Sequence, residues 1–410
     1  MFDGDFDRDA ERLSERLDGF ADDPDGLRDA FLQRHVHKLY AELTDNGNDG
    51  LRADDLVYAA AERVPGLAPS WAEVARERER LQKDKEGYEV AQGTLLGHVL
   101  ANEDAGRHLI DVMLRPTQLA LDHQDEFERT GRVDLGTAAV TRTGNVGTVE
   151  LRNPRHLNAE DDSTTGPFEA GIDLLILDAQ VEIAVLRGGV VEHPRYAGRR
   201  IFGAGLNLTR LYRGLIPYLF FLVRDLGFVN KIHAGLSGPE HRPGPLEETT
   251  EKLWIAAAET YAIGGACQLL HVVDHVIAER GCRMYLPARK EGIIPGASNL
   301  RLPRTVGDRV ARRAILSGRE FVAGTDDLLC DEVVEAGAMD DAIAARVDAL
   351  ASSGLVNAAA NRRALRIGLE PPDLFRGYMA LFAREQAFCH FSPALVSNLE
   401  RNWSAHERTI

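Results

Sequence analysis

Apolar positions recur at helical spacing from Asp5 to about Gly131, which predicts a region built of helices. Breaking and capping signals divide that region at Pro24-Asp25-Gly26, at Asp45 to Gly50, at Pro65-Gly66 and at Pro69-Ser70. Near Asp134 the period shortens. Val140-Thr141-Arg142 and the run Val146 to Leu151 flank Thr143-Gly144-Asn145, so a β-hairpin is expected there. A polar loop, Asn153 to Glu160, then leads into a helix ending near Asp178 and a strand from Glu182 to Leu186. Strand, loop, helix, strand is the crossover grammar of an α/β fold. Leu215 to His233 reads as one apolar helix that carries Arg224 and Asp225, Asp308 to Ser317 as another, and Met339 to Ile410 as a mainly helical tail. An arginine on so apolar a helix needs a carboxylate or a polar ligand to satisfy it.

Two glycine-rich turns stand out from this pattern. Leu253 to Ala258 is a β-type run, followed by Gly264-Gly265 and an apolar run, Leu269 to Val273, that stops at Asp274. Strand, tight turn and helix start would aim unpaired N–H groups and the positive end of a helix dipole at a ligand, so the turn could hold an oxyanion. The plainer alternative is a strand-to-helix connection where glycine only relieves crowding. Ile201-Phe202-Gly203-Ala204-Gly205-Leu206-Asn207-Leu208, after the strand-like Ile183 to Leu186, could present a second N–H at Leu206.

Two such turns at this separation resemble the crotonase (enoyl-CoA hydratase and isomerase) superfamily. The resemblance implies an α/β fold, the crotonase (ClpP-like) spiral of ββα units, spanning 134–330. A helical N-terminal domain over 1–133 and a helical C-terminal region over 331–410 would flank it. It implies an acyl-CoA substrate whose thioester oxygen is bound by the main-chain N–H groups of Leu206 and Gly265. Asn158, Ala159 and His193 would lie against CoA, and basic residues of the long 188–200 connection could meet its phosphates. Met284 to Ala297 carries the family's Gly-x-x-Pro-Gly, and Asp331-Glu332-Val333-Val334 its Asp-x-Val strand. The helical tail would serve oligomerisation, with trimers pairing into a homohexamer.

Composition narrows the partners. Of 410 residues, 48 are Lys or Arg and 64 Asp or Glu, a net charge of −16 that repels nucleic acid. The acidic start lacks a signal-peptide pattern and no apolar run reaches bilayer-spanning length, so a cytoplasmic protein with no membrane partner is expected. Cys267, Cys282, Cys330 and Cys389 have no paired spacing and read as free thiols. Asp45 to Gly50 mimics a calcium loop, but Gly47 occupies the third position and Leu56 stands where the bidentate glutamate belongs. It reads as a polar inter-helix loop.

The hydratases of this superfamily place two glutamates where this chain has Gln268 and Ala288, neither ionisable. Carboxylate-pair acid–base chemistry therefore lacks its residues there. A main-chain pocket that stabilises an enolate remains. Glu291 is nearby, but its offset from Pro287 differs and it reads as a surface or salt-bridged glutamate. With Leu157 to Asp162, His193 to Tyr196 and Lys290 to Ala297, these departures resemble the branch of cofactor-independent dioxygenases acting on 3,5-dihydroxyphenylacetyl-CoA. That resemblance implies a reaction of O2 with a substrate carbanion, without metal or flavin, in antibiotic biosynthesis. It places Glu160, Arg224 and Gln268 at the aryl ring with Gly205 and Asn207 nearby, and Ala288 and Ile293 around O2. An aryl-CoA hydrolase, isomerase or lyase, or a CoA-binding scaffold without chemistry, is the alternative.

Overall fold

A computed structural model describes residues 4–19, 22–238, 249–352 and 354–408. The last two residues of the expected helical tail lie outside that set. Among the described residues there are ten strands: β1 (Arg132–Asp134), β2 (Ala138–Thr143), β3 (Val146–Leu151), β4 (Ile183–Gly188), β5 (Leu253–Ala258), β6 (Tyr261–Ile263), β7 (His275–Glu279), β8 (Arg283–Tyr285), β9 (Phe321–Val322) and β10 (Glu332–Val334). Seven form one sheet in the order β1-β2-β3-β4-β5-β7-β10, and β6-β8-β9 form a second.

The expected hairpin is β2 and β3, paired from Thr143↔Val146 to Ala138↔Leu151. From β3 onward the large sheet is parallel, with Val146 opposite Ile183 and Ile183 opposite Leu253. Side chains alternate between its faces. Ile183, Val185, Leu253, Ile255 and Ala257 pack with Met339, Ala342 and Val347 of the helix Met339–Ser352. Ala184, Leu186, Trp254, Ala256 and Ala258 pack instead with Phe168, Ile172 and Leu175 of the helix Thr165–Leu177. Burial on both faces explains why β4 and β5 read as continuous apolar runs rather than as alternating ones.

The helices of the two ends share a single core. Phe31, Leu39, Leu96 and Leu109 from the first region pack with Tyr218, Leu222, Phe382, Met379 and Leu395. The tail is helical as expected, in the segments Met339–Ser352, Leu355–Leu369, Pro372–His390 and Pro393–Trp403.

Two local expectations need correction. The segment Leu215 to His233 is not one helix: it comprises Leu219–Leu226 and Phe228–Ala234, broken at Gly227 (φ −86°, ψ −114°). That break lets the first half carry Arg224 to Glu160 while the second carries Lys231 to Glu169 and Asp173. The helix after Gly264 stops at Leu269, and the chain then turns into β7. The strands β6, β8 and β9 escape a periodicity reading because two or three residues are too few to show a period.

Candidate active site

The two glycine turns meet. Gly203 bridges Ala262 in parallel, its N–H donating to Tyr261 O at 3.1 Å and its carbonyl accepting from Ile263 at 3.0 Å. This sets the first turn in register with β6. Gly205 (φ +79°) and Gly264 (φ +54°) then sit backbone to backbone, so that a Cβ on Gly205 would lie 2.8 Å from Ile263 O and 3.3 Å from Gly264 Cα. Only glycine permits both the left-handed backbone and this approach.

The same packing singles out two donors. Glu160 N–H donates to Gly205 O at 2.6 Å and Asn207 N–H to Glu160 O at 2.8 Å, leaving Leu206 between them. Gly265 opens the short helix Gly265–Leu269, where a first N–H has no partner within the helix. Neither the Leu206 nor the Gly265 N–H is taken by an acceptor among the described residues. Both residues line one cavity with Glu160, Arg224, Gln268, Ala288 and Ile293.

That cavity is small, about 30 Å³. Phe220, Phe221, Ile294 and Pro287 make much of the wall apolar.

At the polar end Arg224 is 3% exposed and Glu160 3%. The guanidinium donates to Glu160 from Nε and, at 3.0 Å, from Nη2; Nη2 also reaches Gly265 O at 2.8 Å, and Nη1 reaches Gln268 Oε1 at 2.8 Å. Burial works against its charge, and the Glu160 carboxylate more than offsets that, so its proton is held more tightly than usual. Asp225, 3.6 Å from Arg224 and accepting from Ala297 N–H at 3.1 Å, has its carboxyl pushed up by burial. Cys267 is sealed, and burial pushes its thiol up to about 12, so it offers no thiolate near neutral pH.

Several residues expected to touch a ligand are otherwise engaged. Asn158 is fully buried; its amide donates to Gly189 O and Ile201 O at 2.7 and 2.8 Å, and its Oδ1 accepts from Asn153 N–H. Its side chain clamps the loop. Ala159 is buried beside it, with its carbonyl accepting from Asn153 at 2.8 Å. Asn207 caps the helix Leu208–Tyr212 and donates to Asp161 at 3.0 Å, so it supports the turn. His193 lies outside the cavity, with Nδ1 accepting from Arg195 N–H at 3.3 Å. In the same connection Arg200 is paired with Glu150, and Arg199 lies 3.5 Å from Glu279.

The reading of Glu291 as a surface or salt-bridged group is overturned. It is 6% exposed, lines the cavity, and forms no hydrogen bond or ion pair through its carboxyl among the described residues. Ala288 and Glu291 share the short helix Ala288–Glu291, one turn apart, and so present to the same side. That spacing, in a stretch flanked by Leu286-Pro287 and Ile293-Ile294, was the available signal.

Comparisons with known proteins place the chain in a family. The profile of the Enoyl-CoA hydratase/isomerase family matches residues 246–374. The (3,5-dihydroxyphenyl)acetyl-CoA 1,2-dioxygenase of Amycolatopsis orientalis is 42% identical over 398 residues, 92% of this chain and 90% of that one. A probable enoyl-CoA hydratase of Rhizobium meliloti (strain 1021) is 29% identical over 185 residues, covering 45% of this chain and 62% of that relative. Among solved structures, the enoyl-CoA hydratase of Bacillus halodurans aligns over 65% of this chain and 100% of its own, with TM-score 0.53 and 17% identity, a likeness of fold alone. With paired glycine turns in register and a relative this similar along almost the whole length, the chain belongs to the crotonase, or enoyl-CoA hydratase/isomerase, superfamily.

Proposed function

We propose that the protein is a dioxygenase that converts 3,5-dihydroxyphenylacetyl-CoA and O2 to 3,5-dihydroxyphenylglyoxylate and CoA. The observation that carries this reading is the 42% identity, over 92% of the chain, to the dioxygenase of that substrate from Amycolatopsis orientalis. The cavity supports it chemically. The Leu206 and Gly265 N–H groups would bind the thioester oxygen and stabilise the enolate formed when the adjacent carbon loses a proton. Arg224, Glu160 and Gln268 offer donors and acceptors to ring hydroxyls, and Ala288 and Ile293 give O2 an apolar wall. Gly205 shapes the turn that presents Leu206.

The carbanion supplies the electrons and O2 accepts them, so the overall change balances with no further redox partner. Among the described residues, no group of three or more His, Cys, Asp or Glu side chains could hold a metal ion. A cofactor-free reaction is part of the proposal, as are the homohexamer, the cytoplasmic location and a role in antibiotic biosynthesis. Within the described residues no helix is long and apolar enough to cross a membrane.

The test is metal-free protein incubated with 3,5-dihydroxyphenylacetyl-CoA with and without O2, followed by mass spectrometry. Dihydroxyphenylglyoxylate is expected only with oxygen, carrying two atoms of label from 18O2. Dihydroxyphenylacetate released equally under nitrogen would make the protein a hydrolase instead.

A further inference from the structure

The proposed reaction needs a base, and the two hydratase positions in this chain carry Gln268 and Ala288. Among the residues lining the cavity, only Glu160, Asp225 and Glu291 are carboxylates. Glu160 is bound to Arg224 through both oxygens. Asp225 accepts from Ala297 N–H and lies against Arg224. Among the described residues Glu291 has neither kind of partner.

Resting on the proposed function, we infer that the Glu291 carboxylate is the catalytic base that removes a proton from the carbon next to the thioester carbonyl. The C–H bond breaks, an O–H bond forms on Glu291, and the electron pair moves onto the thioester oxygen facing the Leu206 and Gly265 N–H groups. Three observations converge on this assignment. The residue is buried on the cavity wall, one helical turn from Ala288. No hydrogen bond or ion pair with a described residue occupies its carboxyl. Neither oxygen is among the sealed polar atoms that lack partners, so the little surface the residue keeps includes the carboxyl.

Its surroundings suit the role. Burial, with no neighbouring charge contributing, pushes the Glu291 carboxyl up to about 8. The ionisable neighbour on β8 is Tyr285, whose phenol stays neutral because burial pushes it up to about 12. Arg289 and Lys290, on the same short helix, are exposed, and Glu160, Arg224 and Asp225 face the same cavity. A base poised near the working pH combines adequate ionisation with proton affinity.

The experiment follows exchange of the methylene hydrogens of 3,5-dihydroxyphenylacetyl-CoA in D2O under nitrogen, and O2 uptake in air, for wild type, Glu291→Gln and Glu291→Asp. Wild type should exchange and take up O2, with a rate that rises through an inflection near pH 8. Glu291→Gln should lose about 100-fold or more of both, while still binding the thioester, and Glu291→Asp should recover part. A Glu291→Gln protein exchanging within about threefold of wild type would overturn the assignment. If Glu291→Gln does not fold, Glu291→Asp and the wild-type profile decide: unchanged kinetics in Asp, or a flat wild-type rate from pH 6 to 9, reject it. Wild type that exchanges but takes up no O2 refutes the dioxygenase reading and leaves the base standing. Wild type that takes up O2 while Glu291→Gln matches it refutes the base alone, and wild type that does neither refutes both.

Discussion

Arg224 and Glu160, 64 positions apart in the chain, form a buried two-pronged pair whose Nη2–Oε1 contact is 3.0 Å. The pair also closes the polar end of the cavity through Gln268 and the Gly265 carbonyl. Removing Arg224 leaves Glu160 and Asp225 buried without the cation that faces both. Arg224→Ala should cost on the order of 3 to 5 kcal/mol, read as a lower urea midpoint. The double variant Arg224→Met/Glu160→Leu should cost less than the two single changes added together. Loss of ring recognition should accompany it: the preference for the dihydroxy ring over an unsubstituted phenylacetyl-CoA should shrink. Wild-type preference in Arg224→Ala would remove Arg224 from the aryl end.

The contact between Gly205 and Gly264 makes a second prediction. A methyl group on Gly205 would press on Ile263 O at 2.8 Å and part the two turns. Gly205→Ala should lower turnover by roughly 10²- to 10³-fold, the usual cost of losing an oxyanion donor. CoA thioester binding should change much less. Full activity in Gly205→Ala, measured by steady-state kinetics, would show that Leu206 N–H does not bind the reacting oxygen.

Glu291 also predicts a pH dependence of stability that does not involve catalysis. Its folded-state carboxyl titrates at about 8, above the ordinary 4.5, so the fold holds its proton more tightly than the unfolded chain does. The contribution is fully present below pH 4.5 and is lost as pH rises through 8. The loss is on the order of 5 kcal/mol. Glu291→Gln has no such group and should gain stability relative to wild type between pH 5 and pH 9, followed by thermal unfolding. A difference that stays constant across that range would mean the carboxyl is solvated in the folded protein.

Lys231 is fully buried with Glu169 and Asp173 each at 2.8 Å, and Arg52 from the first helical region joins Glu169 at 2.8 Å. Lys231→Met leaves two buried carboxylates sharing only Arg52. It should destabilise the protein by about 3 to 5 kcal/mol, while Arg52→Met, whose partner keeps Lys231, should cost less. Equal urea midpoints for the two variants would contradict this arrangement.

What the sequence determined by itself is local. The glycine turns, the existence of the hairpin, the apolar β5 and the helices at both ends follow from φ/ψ freedom and periodicity, which neighbouring residues set among themselves. The absence of carboxylates at Gln268 and Ala288 was equally plain, and so was the need of Arg224 for a partner, with Glu160 identified through the family resemblance. Burial and partnership were decided by tertiary structure. Asn158 and Asn207 became struts because their amides meet carbonyls and carboxylates brought from elsewhere. Glu291 became a buried acid with no ion-pair partner among the described residues because the cavity wall closes over it without bringing a cation. Whether a carboxylate is solvated, paired or stranded depends on groups far along the chain, and packing alone settles that.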